Sequence, residues 1–254
     1  LASAGRTLEQ AVQLSSATGN NYVVLIARLN LARLAAQRGH LRRAAEMLRQ
    51  ARRIADETGM GQLPAAGLLS AELSSILIEW NMVDEAVDRL ETGLERIQDG
   101  KDVTAIQMAY AFMTRALLAR GNLEGAQATI HQMEHLAAGA DVSPWIHYWI
   151  VALKLQTSLA QGDLTSAARL AEQAGLDVEE EPTYAREMAY APLVQLYIAQ
   201  GRAGAAMKLL ERLLHTAQEA ERLGRVIATL ALRACALAAQ GDMERALTDL
   251  ERAL

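Results

Sequence analysis

The chain has 254 residues, of which 51% are hydrophobic and only 4% aromatic, with a formal net charge of −5. That hydrophobic share supports a large core, and a composition led by Ala and Leu with few β-branched runs points to an all-helical fold. An acidic balance with lysine only at Lys101, Lys154 and Lys208 argues against direct nucleic-acid binding, which needs clustered cations. The lone Cys235 excludes an internal disulfide and suits a reducing, cytoplasmic setting. No apolar run reaches membrane-spanning length, so no membrane partner is expected.

A marker residue recurs about every forty positions: Gly39, Asn81, Gly121, Gly162, Gly201 and Gly241. Two residues on stands Leu41, Val83, Leu123, Leu164, Ala203 or Met243, and five residues on there is always alanine: Ala44, Ala86, Ala126, Ala167, Ala206 and Ala246. This register defines an internal repeat of two antiparallel helices with the marker in the turn between them. At the N-terminus, Leu1, Ala4 and Gly19 match Leu41, Ala44 and Gly59. The chain is therefore expected to begin inside a repeat and to be one repeat domain, 1–254, of a longer protein.

The first complete unit predicts a helix A over Tyr22–Arg38 and a helix B over Leu41–Thr58. On B, Leu41, Ala44, Leu48, Ala51 and Ile54 step by three and four along one face. Turn chemistry follows at Thr58-Gly59, Asp99-Gly100, Gly139-Ala140-Asp141 and Ala174-Gly175. Pro64, Pro144 (after a Ser143 cap) and Pro182 read as first-turn residues of A helices. Glu179, Glu180 and Glu181 then precede a helix N-terminus, where the dipole favours them. Pro192 falls inside the sixth A helix and removes the usual partner of the Met188 carbonyl. The final stretch, Met243 to Leu254, reads as a B helix.

The invariant alanine lets paired helices approach closely, and stacking of units buries the apolar faces that one unit leaves open. The expected architecture is a right-handed superhelical solenoid of antiparallel helix pairs. It is similar to tetratricopeptide arrays but has longer helices than their common unit of about 34 residues.

The segments Tyr197–Arg202, Leu223–Ile227 and Gln240–Leu247, together with Pro64–Gly67 and Glu79-Trp80-Asn81, resemble the helical repeat region of LuxR/MalT-type large bacterial transcription regulators. The resemblance spans essentially the whole chain. It implies a parent protein with an N-terminal ATP-binding switch module, this superhelix as sensor, and a C-terminal DNA-binding helix-turn-helix. ATP is thus implied only for another module. This chain has no G-x-x-x-x-G-K-[ST] loop, and the nearest approach, Gly100-Lys101, has Glu95 and Asp102 at the other required places.

His131-Gln132-Met133-Glu134-His135 fits H-x-x-E-H, a zinc-hydrolase spacing. However, Ile130, Met133 and Leu136 are the core positions of that helix, so both histidines belong on its flank and no metal is expected. Cys235 reads as a small buried thiol.

The inner face of the A helices carries the binding expectation. Six residues before the markers stand Arg33, Ser75, Arg115, Gln156, Gln195 and Cys235. Ten residues before stand Ala71, Ala111, Ala152, Ala191 and Ala231. A small residue beside a polar one offers room and a hydrogen-bond handle in a groove. Trp145, Trp149, Ala152 and Gln156 share one face of the fifth A helix, with His147 and Tyr148 close by, and Tyr184, Glu187, Ala191 and Gln195 do the same on the sixth. The candidate ligand-binding residues are Arg115, Trp145, Tyr148, Trp149, Gln156, Tyr184, Glu187 and Gln195. Packing of the tryptophans against neighbouring repeats is the competing account.

The expected function is non-catalytic. It is sensing of a small-molecule inducer or a regulatory protein, with relay to other domains of the same regulator; the alternative is a scaffold for protein partners alone. Neutral Gln156 and Gln195 favour a polar, uncharged ligand.

Overall fold

A computed structural model describes residues 2–254, and no strand occurs among them. The helices are α1 (Ala2–Ala17), α2 (Asn21–Gln37), α3 (Leu41–Glu57), α4 (Pro64–Glu79), α5 (Val83–Asp99), α6 (Val103–Ala119) and α7 (Leu123–Ala138). They continue as α8 (Pro144–Ala160), α9 (Leu164–Gln173), α10 (Glu187–Ala199), α11 (Ala203–Glu219), α12 (Leu223–Ala239) and α13 (Met243–Ala253). Two compact units divide within α7, Leu1–Gln132 and Met133–Leu254.

Each unit is a stack of helix pairs. In the first, α1 packs on α2, α2 on α3, α3 on α4, α4 on α5 and α5 on α6, while α2 also meets α4 and α4 meets α6. In the second, α8 packs on α9 and α10, α10 on α11 and α12, and α12 on α13. A helices thus touch the next A helix as well as their own B partner. This explains their composition: α4 buries residues on nearly every side, from Ala65 round to Leu77. A B helix such as α3 is strongly two-faced, burying Ala44, Ala45, Leu48, Ala51 and Ala55 and leaving its arginines outward.

All six markers have positive φ, from 59° at Asn81 to 85° at Gly241. That is the left-handed conformation that ends a helix cheaply only with glycine or asparagine. The alanines five residues on are all buried, so the close approach inferred for them is present. The residue before the second helix is often Asn or Asp and caps it: Asp163 Oδ1 accepts from Ser166 N at 2.9 Å and Asn122 Oδ1 from Gly125 N at 2.9 Å. Pro64 and Pro144 open α4 and α8, although the Ser143 side chain makes no capping bond.

Several expectations are corrected. The turn expected at Asp99-Gly100 is present one residue on, at 100–101, with Lys101 as its left-handed residue (φ 55°). Gly100 sits against Pro64, where a Cβ would lie 2.6 Å from the proline Cγ, so close approach rather than φ requires glycine there. Pro182 does not open an α-helix. Residues 176–183 are irregular, a 3-10 turn covers Tyr184–Arg186, and α10 starts at Glu187. Leu176 and Val178 are pulled into the core instead, and Arg212 donates to the Val178 carbonyl. Two of the three glutamates before Pro182 meet cations rather than a helix dipole: Glu179 pairs with Lys208 at 3.0 Å and Glu180 with Arg186.

Cys235 is exposed, because Ala234, Ala236 and Leu237 take the inward positions of α12. Ala71, Ala111 and Ala152 are buried. They pack between adjoining helices instead of facing open space, because A helices lie directly on one another.

Candidate functional site

In the first unit the two inner-face arginines are already paired across neighbouring A helices, while Ser75 donates to the Glu72 carbonyl of its own helix. Arg33 Nε donates to Glu72 Oε1 at 2.7 Å, joining α2 to α4, and its Nη2 reaches Met108 Sδ of α6 at 3.7 Å. Arg115 Nη2 donates to Glu79 Oε1 at 2.6 Å, joining α6 to α4. Arg115, a candidate ligand contact, thus has an internal acidic partner.

The other seven candidates lie in the second unit. On α8, Trp145 and Trp149 have ring centroids 5.8 Å apart at 39°. Trp149 is only 5% exposed and belongs to the core, while Trp145 is half-buried. Tyr148 is held by Arg186, whose Nε donates to the phenol oxygen at 3.1 Å and whose guanidinium lies 5.2 Å from the ring centroid. Arg186 also donates to the Gly175 carbonyl at 3.1 Å. Burial would lower the pKa of this guanidinium, but Tyr148 and Glu180 outweigh it and raise it. Tyr148 is therefore one wall of a clasp that fixes the 174–187 segment. Gln156 is half-buried and Gln195 exposed.

Tyr184 and Glu187 are brought together. They line a cavity of about 180 Å³ where α10, the end of α11 and the start of α12 converge. Its walls include Tyr190, Ala191, Leu213, Ala217, Thr229 and Leu232. Trp145, Tyr148, Trp149, Gln156 and Gln195 do not line it.

The cavity's charge comes from residues that the marker register did not single out. Arg222 Nη1 donates to Glu187 Oε1 at 2.6 Å, and Arg225 Nε lies 3.1 Å from the same oxygen. Glu187 and Arg222 are largely buried, with side-chain exposures of 14% and 18%. Two cations on one carboxylate leave a net positive site in a mostly apolar wall, where charge interacts more strongly than at the surface. One signal was available in the sequence: Glu187 lies fourteen residues before Gly201, while Arg222 and Arg225 sit at the start of the following A helix.

The H-x-x-E-H residues stay on the flank of α7. His131 and His135 are exposed, Met133 is buried, and Glu134 accepts from Lys154 Nζ at 2.7 Å. No group of three potential metal ligands occurs among the described residues. No helix of the described residues is long and apolar enough to cross a membrane.

Among solved structures, a tetratricopeptide repeat protein from Parabacteroides merdae superposes with a TM-score of 0.57 at 14% identity, covering 99% of this chain and 92% of that one. A putative kinesin light chain from Podosopora anserina with nearly identical TPR-like repeats has 21% identity and a TM-score of 0.40, over 90% of this chain and 92% of that one. No curated protein matches the chain. The first likeness carries the fold, a stack of tetratricopeptide-like helix pairs. The MalT-like TPR region matches from residue 1 to residue 254, and the chain belongs to that family.

Proposed function

We propose that this chain is the effector-sensing and interaction region of a LuxR/MalT-type bacterial transcription regulator, acting in the cytoplasm without catalysis of its own. The supporting observation is the α10–α11–α12 cavity, with Tyr184 at its mouth and Glu187 within it. A ligand there touches two successive helix pairs at once. It therefore favours whichever pair-to-pair angle fits it, and such differential binding shifts a conformational population. That shift is what a neighbouring switch domain would read.

The test is a thermal-shift screen of small metabolites on the chain and on Ala191→Leu, which fills the cavity. A ligand present at a hundred times its Kd adds about 2.7 kcal/mol to the folded state. A raised melting temperature that Ala191→Leu abolishes supports the reading; stabilisation that survives the filling refutes this site. Trp149→Ala is unsuited to the purpose, because removing a buried tryptophan costs about 3–5 kcal/mol by itself.

A further inference from the structure

Resting on the sensing reading, we infer that the α10–α12 cavity takes a small organic monoanion, a single carboxylate on a compact apolar or aromatic body. The first reason is charge. Glu187 is the one carboxylate among the described residues that line the cavity, and it faces both Arg222 and Arg225.

The second reason is how the guanidinium donors are used. Both cations converge on a single oxygen, Glu187 Oε1. Arg222 Nε is buried and makes no hydrogen bond. Arg225 Nη2 rests on the thioether sulfur of Met188 at 3.3 Å, a weak acceptor. A buried unpaired donor is costly, and a charged acceptor is the strongest partner a guanidinium can gain. A carboxylate entering beside Glu187 supplies that acceptor and balances the net charge.

The third reason is size and wall chemistry. About 180 Å³ is close to the roughly 150 Å³ of an apolar cavity that admits one benzene. The ring or short chain would lie against Tyr190, Ala191, Leu213 and Leu232, with the Thr229 hydroxyl as a further polar contact. This differs from the uncharged ligand that Gln156 and Gln195 suggested, because neither glutamine reaches the cavity.

The test compares benzoate with benzamide, nearly equal in shape and different in charge, on residues 1–254 at neutral pH and physiological salt. Binding is followed by calorimetry and by the amide NMR shifts of Thr229 and Tyr190. Benzoate is expected to bind at least tenfold more tightly than benzamide. Arg225→Gln should reduce that preference to within about twofold, and Arg225→Lys should keep part of it. Leu232→Phe should block benzoate while leaving both arginines in place, so the site remains testable even if Arg225→Gln melts early. Equal binding of the two compounds, with shifts at Thr229, overturns the monoanion assignment but leaves the sensing reading standing. Silence at Thr229 from both, together with an empty metabolite screen, overturns both.

Discussion

Gly67→Ala should destabilise the first unit although it improves helix propensity. A Cβ at Gly67 would lie 2.6 Å from the Gly93 carbonyl oxygen of α5, 2.8 Å from Ile97 Cγ1 and 3.1 Å from Arg96 Cβ. The nearest contact is backbone and cannot rotate aside. At a C···O separation of about 3.3 Å the two helices must part by about 0.7 Å. Overpacking of this kind costs about 1–3 kcal/mol, and the upper half of that range fits a backbone clash. Replacing a helical glycine by alanine, here in the first turn of α4, returns at most about 1 kcal/mol, which leaves a net loss of at least about 1–2 kcal/mol.

Gly5→Ala on α1 is the control, since a Cβ there meets nothing within 4 Å and should stabilise by up to about 1 kcal/mol. Gly93→Ala, whose Cβ would lie 3.2 Å from the Gly67 carbonyl, should fall between the two. Stacked repeats need not unfold in one step, so urea unfolding by far-ultraviolet circular dichroism should be paired with hydrogen exchange of α4 and α5 amides. A Gly67→Ala chain as stable as Gly5→Ala would refute the close-approach account of this helix pair.

Lys101→Gly and Glu221→Gly should each stabilise by up to about 1 kcal/mol, because both residues are held at positive φ where a side chain is strained; thermal melts check this. Ala86→Leu should lower the melting temperature by a shift corresponding to about 1–3 kcal/mol, since Ala86 is buried in the register that brings helices together, whereas Ala238→Leu on exposed surface should be near neutral. Asp249 accepts from Arg233 through both carboxylate oxygens, each at 2.6 Å. Its pKa is lowered chiefly by the hydrogen bond from Arg233, against the opposing effect of burial and with help from the positive charges of Arg233, Arg252 and Arg245. A lowered folded-state pKa means the stabilisation is present above the ordinary carboxylate value of about 3.9 and is lost as pH falls through the lower folded value. Exchange protection of α13 should therefore be flat from neutral pH to about pH 5 and fall below about pH 4. In Asp249→Asn, protection should be weaker at neutral pH and lack that acid dependence.

What the sequence disclosed follows from how local each cause is. The markers specify a left-handed backbone at one residue, so even Asn81 was readable, and φ there is 59°. Helix bounds were legible because a turn residue, a cap and an apolar face lie within a few positions: α2 and α3 end one residue before the expected limits. The segment after Gly175 departs from the periodic pattern because what shapes it lies far away in sequence. Arg186 reaches back to Tyr148, and Arg212 reaches the Val178 carbonyl across 34 residues. Periodicity places Arg33 and Arg115 on an inner face, but it does not show that Glu72 and Glu79 occupy them. The cavity was only half visible for the same reason: Tyr184 and Glu187 follow from the A-helix register, while Arg222 and Arg225 enter from the next helix.

These cross-helix pairs also set one junction, where cations outnumber anions, apart from two in the first unit where they are matched. Between α2 and α4, Arg33 meets Glu72, and between α4 and α6, Arg115 meets Glu79. Each cation there has one anion, and a partly exposed pair of that kind has little to gain from a visitor. Between α10 and α12 one anion serves two cations beside an apolar void. Removing Glu187 would strand the largely buried Arg222 and leave the more exposed Arg225 without its anion, so Glu187→Gln should destabilise the α10–α12 contact; adding a second anion would relieve the same imbalance. Glu187→Gln should therefore be rescued by benzoate more strongly than the parent chain is stabilised by it. A Glu187→Gln chain that binds benzoate no better than the parent would mean that the two guanidiniums do not draw the ligand carboxylate.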